Sequence, residues 1–130
     1  MDKGIKIRTT IHNILYEIYK FNHTIDKPKI KNIIDSYSKR DISFINNVCL
    51  NSMRYNIHNE KIMSMYLSKK PKIHERILLS SAITQIVFLD FKTYAVINCT
   101  VEIAKKLNIY HGFVNAVLKK VALNKKSLKL

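Results

Sequence analysis

Almost nothing in this chain can break a helix. Its 130 residues hold two glycines and two prolines, the residues that punctuate tight turns and bulges. A β-rich fold needs such punctuation every several residues, and a phosphate-cradling loop needs glycines grouped together. The scarcity argues against both and leaves helices joined by short polar connections.

The apolar residues repeat accordingly. Ile7, Ile11, Ile14, Leu15 and Ile18 recur at steps of three and four, the stripe of a helix from about Ile5 to Phe21, with Lys6, Asn13, Glu17 and Lys20 off it. After a connection over residues 22–27, Pro28 suits a first helical turn with Asp26 as its cap. That helix runs to about Tyr37, with Ile30, Ile33 and Ile34 inward. Ser38 to Asp41 opens the next helix, where the acidic Asp41 complements the dipole. Its stripe is Phe44, Ile45, Val48 and Cys49, toward Met53, and resumes through Ile57, Ile62, Met65, Tyr66 and Leu67 after a break near Asn56–Asn59. Lys69-Lys70-Pro71-Lys72 reads as a loop. Ile73 to Phe88 is apolar on nearly every side, as a helix in the middle of a bundle is. Thr93 caps a helix from Tyr94 to Leu107, and the last helix runs from Gly112 to Leu123. The expectation is an all-α, single-domain bundle of six to seven antiparallel helices over residues 1–124, then a basic tail over 125–130.

An apolar fraction of 47% is enough for a packed core. Cys49 and Cys99 lack metal-ligand spacing and read as reduced core thiols of a cytoplasmic protein. The five histidines, His12, His23, His58, His74 and His111, are scattered and read as surface residues, so no metal and no cofactor is expected. The longest apolar run, Ile77 to Leu89, is too short to cross a bilayer. The formal net charge of +14 suits a polyanionic partner, RNA or DNA first. Against that, 19 of the 23 basic residues are Lys, whereas surfaces built for bidentate phosphate contact favour Arg. Ile-, Lys- and Asn-rich composition also accounts for part of the charge.

Several stretches, in order, resemble the NusB/RsmB-type helical domain: Arg8 through Leu15-Tyr16, Asp41-Ile42-Ser43-Phe44, Gln85-Ile86-Val87-Phe88-Leu89-Asp90, Ala95-Val96-Ile97-Asn98 with Val101-Glu102-Ile103-Ala104-Lys105, and Phe113-Val114-Asn115-Ala116-Val117-Leu118. The resemblance covers nearly the whole chain. It implies a NusB-like fold and RNA binding, in one of two branches. One is a stand-alone transcription antitermination factor that binds RNA with a ribosomal protein. The other is the N-terminal recognition module of a 16S rRNA cytosine-5 methyltransferase. Gln85–Asp90 and Gly112–Lys120 look more like the second. The arginine-rich lead of the first branch is here only Lys3 and Lys6 before Arg8, and Cys99 stands where that branch has an acidic residue. A glycine-rich cofactor loop and a cysteine beside proline are both lacking, so the chain is not expected to be an enzyme by itself. Its partner on this reading is RNA, and further a ribosomal protein or a C-terminal methyltransferase domain; no membrane is involved. A helical protein-interaction module with incidental charge is the reading from another class.

No residue is marked as catalytic. The resemblance places RNA contact at Lys3, Lys6, Arg8 and His12, where helix-end amides could also meet phosphate. A second basic cluster is Lys119, Lys120, Lys125 and Lys126, with Lys129 beyond; a solvated helix end explains it equally. Asn98 and Asn115, polar residues within apolar helical patterns, read as buried amides making structural hydrogen bonds, and Asp41 as structural. Tyr16 and Tyr19 either stack on a base or pack at the core boundary.

Overall fold

The computed structural model describes residues 2–129; Met1 and Leu130, the outer limits of the domain and tail drawn from the sequence, lie outside the described residues. Eight helices make up the described fold: α1 (Lys3–Phe21), α2 (Pro28–Asp35), α3 (Lys39–Arg54), α4 (Asn56–Tyr66), α5 (Ile73–Ile83), α6 (Thr93–Lys106), α7 (His111–Leu123) and α8 (Lys125–Leu128). A π-helical turn, Thr84–Phe88, continues α5. There is no strand among the described residues.

The helix ends show how the chain manages with so little glycine. Asn22, Asp90 and Asn108 adopt left-handed backbone with φ of 57°, 54° and 58°. Glycine usually occupies such positions; Asn and Asp tolerate them because their short polar side chains can bond locally. The N-termini use the expected chemistry only in part. Asp2 caps α1 by accepting from the N–H groups of Gly4 and Ile5, and Ser38 caps α3 by accepting from that of Asp41. Asp26 does not cap α2: Lys27 is the cap residue, and Asp26 takes a hydrogen bond from Thr24 instead. Thr93 does not cap α6 either, because it is already inside the helix.

Two cores meet at α5. One is formed by α1, α2 and α3, where Ile11, Ile14, Leu15, Ile30, Ile45 and Val48 are sealed from solvent together with Ile77 of α5. The other gathers Ile62, Leu79, Ile83, Ile86, Val96 and Leu118 from α4 to α7. The central helix expected from the all-round apolarity of residues 73–88 is therefore the wall between two cores. The helix expected over residues 73–88 is present, with its last turn wound as π: Thr84 Oγ1 bonds back to the Ser80 carbonyl at 2.9 Å, and the turn widens so that Leu89 N–H reaches Thr84 O.

Three apolar residues expected inside point outward: Ile33, Ile57 and Met65. α2 is only eight residues long and buries a single edge, Ile30 and Ile34. α4 has two competing apolar faces, and the one that wins is Asn59, Ile62, Met63 and Tyr66, spaced three and four apart. The basic tail is docked rather than trailing: Leu128 packs on the second core, and Lys125 pairs with Asp90 at 2.7 Å.

Candidate nucleic-acid interface

α1 and α3 start side by side. Their N-termini converge on two adjoining open clefts of about 570 and 520 Å³, both lined by Lys3, Ile7 and Asp41. Lys6 and Tyr37 line one cleft, Arg8, Arg40 and Phe44 the other. Lys3 pairs with Asp41 at 3.5 Å, yet its side chain is 74% exposed. Lys6, Lys39 and Arg40 are exposed and have no ion pair among the described residues. The sequence reading missed Arg40, which lies one turn before the Phe44–Cys49 stripe; only the pairing of α1 with α3 brings it to the same cleft as Lys3. The helix-end amides expected to meet phosphate are already taken on α1 by Asp2. Anion binding here rests on side chains.

Arg8 is more constrained than a free phosphate-binding residue. Its Nε donates to Gln85 Oε1 at 2.7 Å, and its guanidinium lies 5.2 Å over the Phe44 ring. Nη1 reaches Gly4 O at 3.5 Å and Cys99 Sγ at 3.6 Å. Gly4 makes room for this: a Cβ there would stand 3.2 Å from Nη1 and 3.3 Å from Sγ. Gln85, 2% exposed, is held in turn by Ser81. The π turn thus anchors Arg8 at the back of the cleft, between the two cores.

His12 is a correction. It is 2% exposed, with Nε2 3.0 Å from His74 Nδ1, and cannot touch RNA. Tyr16 stacks flat on His74 at 4.4 Å, and Tyr19 lies under Arg76, so both tyrosines pack at the core boundary. Burial, helped by the neighbouring His74, lowers the His12 pKa from 6.5 to about 4. Because the folded pKa lies below the unfolded one, this contribution to stability is complete above pH 6.5 and is lost as pH falls toward 4. On the order of 3 kcal/mol should disappear over that window. Urea melts across it should show the loss, and His12→Phe should flatten it; an equally steep profile in the variant would assign the loss to other groups.

The C-terminal lysines differ in their engagement. Lys119, Lys120, Lys126 and Lys129 are exposed, whereas Lys125 is tied to Asp90. That bond holds the Asp90 carboxyl below its usual range. α8 packs against the π turn, so both chain ends come to the Gln85 end of α5. Cys49 is buried, and burial pushes its thiol up to about 12, which makes it inert. Cys99 is also buried and free. No group of three or more His, Cys, Asp or Glu among the described residues could hold a metal ion, and no helix is long and apolar enough to cross a membrane.

The two asparagines marked as buried amides are also corrected. Asn98 is exposed on the outer face of α6, and Asn115 is half-buried with no side-chain hydrogen bond among the described residues. The buried asparagine among the described residues is Asn59, fully enclosed, donating to Ser80 Oγ at 3.0 Å and Thr84 Oγ1 at 2.9 Å. Its signal was present: it sits three and four residues before Ile62 and Met63.

Comparison with protein-family models matches the NusB family over residues 5–123. Neither the curated proteins nor the solved structures return a significant match.

Proposed function

Since the chain belongs to the NusB family, we propose that it is an RNA-binding helical domain that docks through the paired starts of α1 and α3. The observation that carries this reading is the gathering of Lys3, Lys6 and Arg40 around two open clefts, with Lys39 next to Arg40 at the start of α3. Four cations in one place neutralise consecutive phosphates and release counterions. Arg8, fixed by Gln85 and Phe44, gives the cleft a rigid floor. Such contacts position a strand more than they read its sequence.

Within the family, we place the chain with the N-terminal recognition module of a 16S rRNA cytosine-5 methyltransferase. Its resemblance at Gln85–Asp90 and Gly112–Lys120 supports that branch. So does the engagement of Arg8 with Gln85, which leaves only lysines in the lead into α1. On this reading the chain recognises rRNA and supplies no chemistry of its own.

The test is a salt titration with a fluorescent single-stranded 16S rRNA fragment. Replacing Lys3, Lys6, Lys39 and Arg40 together by Ala should weaken binding about tenfold or more at low salt and flatten the log–log salt slope by about 2–3, at roughly 0.7 per lost phosphate contact. An unchanged slope moves the interface elsewhere. No wild-type binding at micromolar protein and low salt sinks the RNA reading. Binding that appears only with a ribosomal protein added assigns the chain to the antitermination branch instead.

A further inference from the structure

We propose that a second cleft, at the far end of α5 from Gln85, holds one unstacked base of single-stranded RNA on Tyr110, with the adjoining phosphates on the Lys69–Lys72 loop. The proposal rests on the RNA-binding reading but uses none of the residues at the starts of α1 and α3. About 12 residues of helix separate Gln85 from the start of α5, roughly 18 Å of axis, so the two sites are distinct.

The cleft is open and has a volume of about 540 Å³, enough for a nucleotide. Tyr66 and Phe113 form its half-buried apolar side, and Tyr110 stands at its mouth with 73% of its surface exposed. The Tyr110 ring lies over the backbone of Gly112, where a Cβ would stand 2.7 Å from Cζ and from the hydroxyl oxygen. Gly112 is one of two glycines in the chain, it lies inside α7, and its φ is not positive. The backbone does not call for glycine at this position, and a side chain there would push the ring aside.

The charge agrees. Lys69, Lys70 and Lys72 have no ion pair among the described residues. The one acid in the cleft, Glu75, spends Oε1 on the Lys72 N–H at 2.9 Å. An exposed aromatic face beside three lysines without ion pairs matches a base and its flanking phosphates: the base stacks and the lysines follow the backbone. An acidic peptide would use the lysines but leave the flat face of Tyr110 without a partner.

The test titrates the full chain with a single-stranded RNA dodecamer carrying one 2-aminopurine, whose fluorescence is quenched on stacking. Tyr110→Ala should lower affinity about fivefold to a hundredfold and abolish the quench, whereas Tyr110→Phe should keep both. Gly112→Ala should displace the ring and weaken binding while the melting temperature holds or rises, an outcome that a purely structural role does not give. Lys69, Lys70 and Lys72 changed together to Gln should flatten the salt slope. Annealed to its complement, the same strand should bind without dependence on Tyr110. If Tyr110→Ala binds and quenches within twofold of wild type, the cleft is not a base site. The RNA reading survives that result as long as the substitutions at the starts of α1 and α3 still weaken binding. If the wild-type chain binds neither RNA, both readings fall.

Discussion

Asn59→Ala is expected to destabilise the protein by about 2–4 kcal/mol, seen as a shift of the urea midpoint without a change in slope. The side chain is fully buried and donates to two hydroxyls, on Ser80 and Thr84. Removing it deletes both bonds and leaves a void where α4 crosses α5. It also frees Thr84, whose bond to the Ser80 carbonyl accompanies the π turn. Asn98→Ala and Asn115→Ala should stay within about 0.5 kcal/mol of wild type, because neither side chain makes a hydrogen bond among the described residues. Three substitutions of one residue type thus separate by position alone. Equal effects at all three would mean that the amide on α4 is not part of the core.

Arg8→Ala should cost about 2–4 kcal/mol, more than an ordinary half-exposed arginine. It removes a charged hydrogen bond and the contact with the Phe44 ring, and leaves Gln85 Oε1 buried without its donor. Arg8→Lys should recover little, since a lysine has no planar fork to meet Gln85 and Phe44 together. A double-mutant cycle with Gln85→Ala checks this: coupling of about 1 kcal/mol or more is expected, and additivity would show that the bond carries no stability. RNA binding by an Arg8 variant is informative only at temperatures where the variant stays folded.

The sequence carried the helical class, the order of elements and the central place of residues 73–88, because these depend on periodicity and on the near absence of breakers. It did not carry which face each helix turns inward. Ile57 and Met65 are as apolar as Ile62 and Met63, and only packing against α5 decides between the two stripes. His12 follows Ile11 within the buried stripe of α1, so its place in the core could be argued from the register, whereas its stacking on His74, 62 residues away, could not. Of the interface proposed above, Lys3 and Lys6 were marked from the sequence. Arg40 joins it through tertiary contact, and the Lys69–Lys72 loop, read only as a connection, gains meaning from aromatic rings about 40 residues further on. The glycine that leads into the most recognisable motif is at a helix start, as expected, and the ring of Tyr110 lies over it, which the sequence did not show.

Because α5 is the shared wall of both cores, the order of synthesis matters. The first three helices emerge without the surface that completes their packing, since Ile77 seals their core. The second core cannot close until Leu118 and Val121 have been made. The nascent chain therefore exposes an open apolar face for most of its translation. A chain stopped before α7 leaves α5 bare on the side where Val114, Val117, Leu118 and Val121 pack.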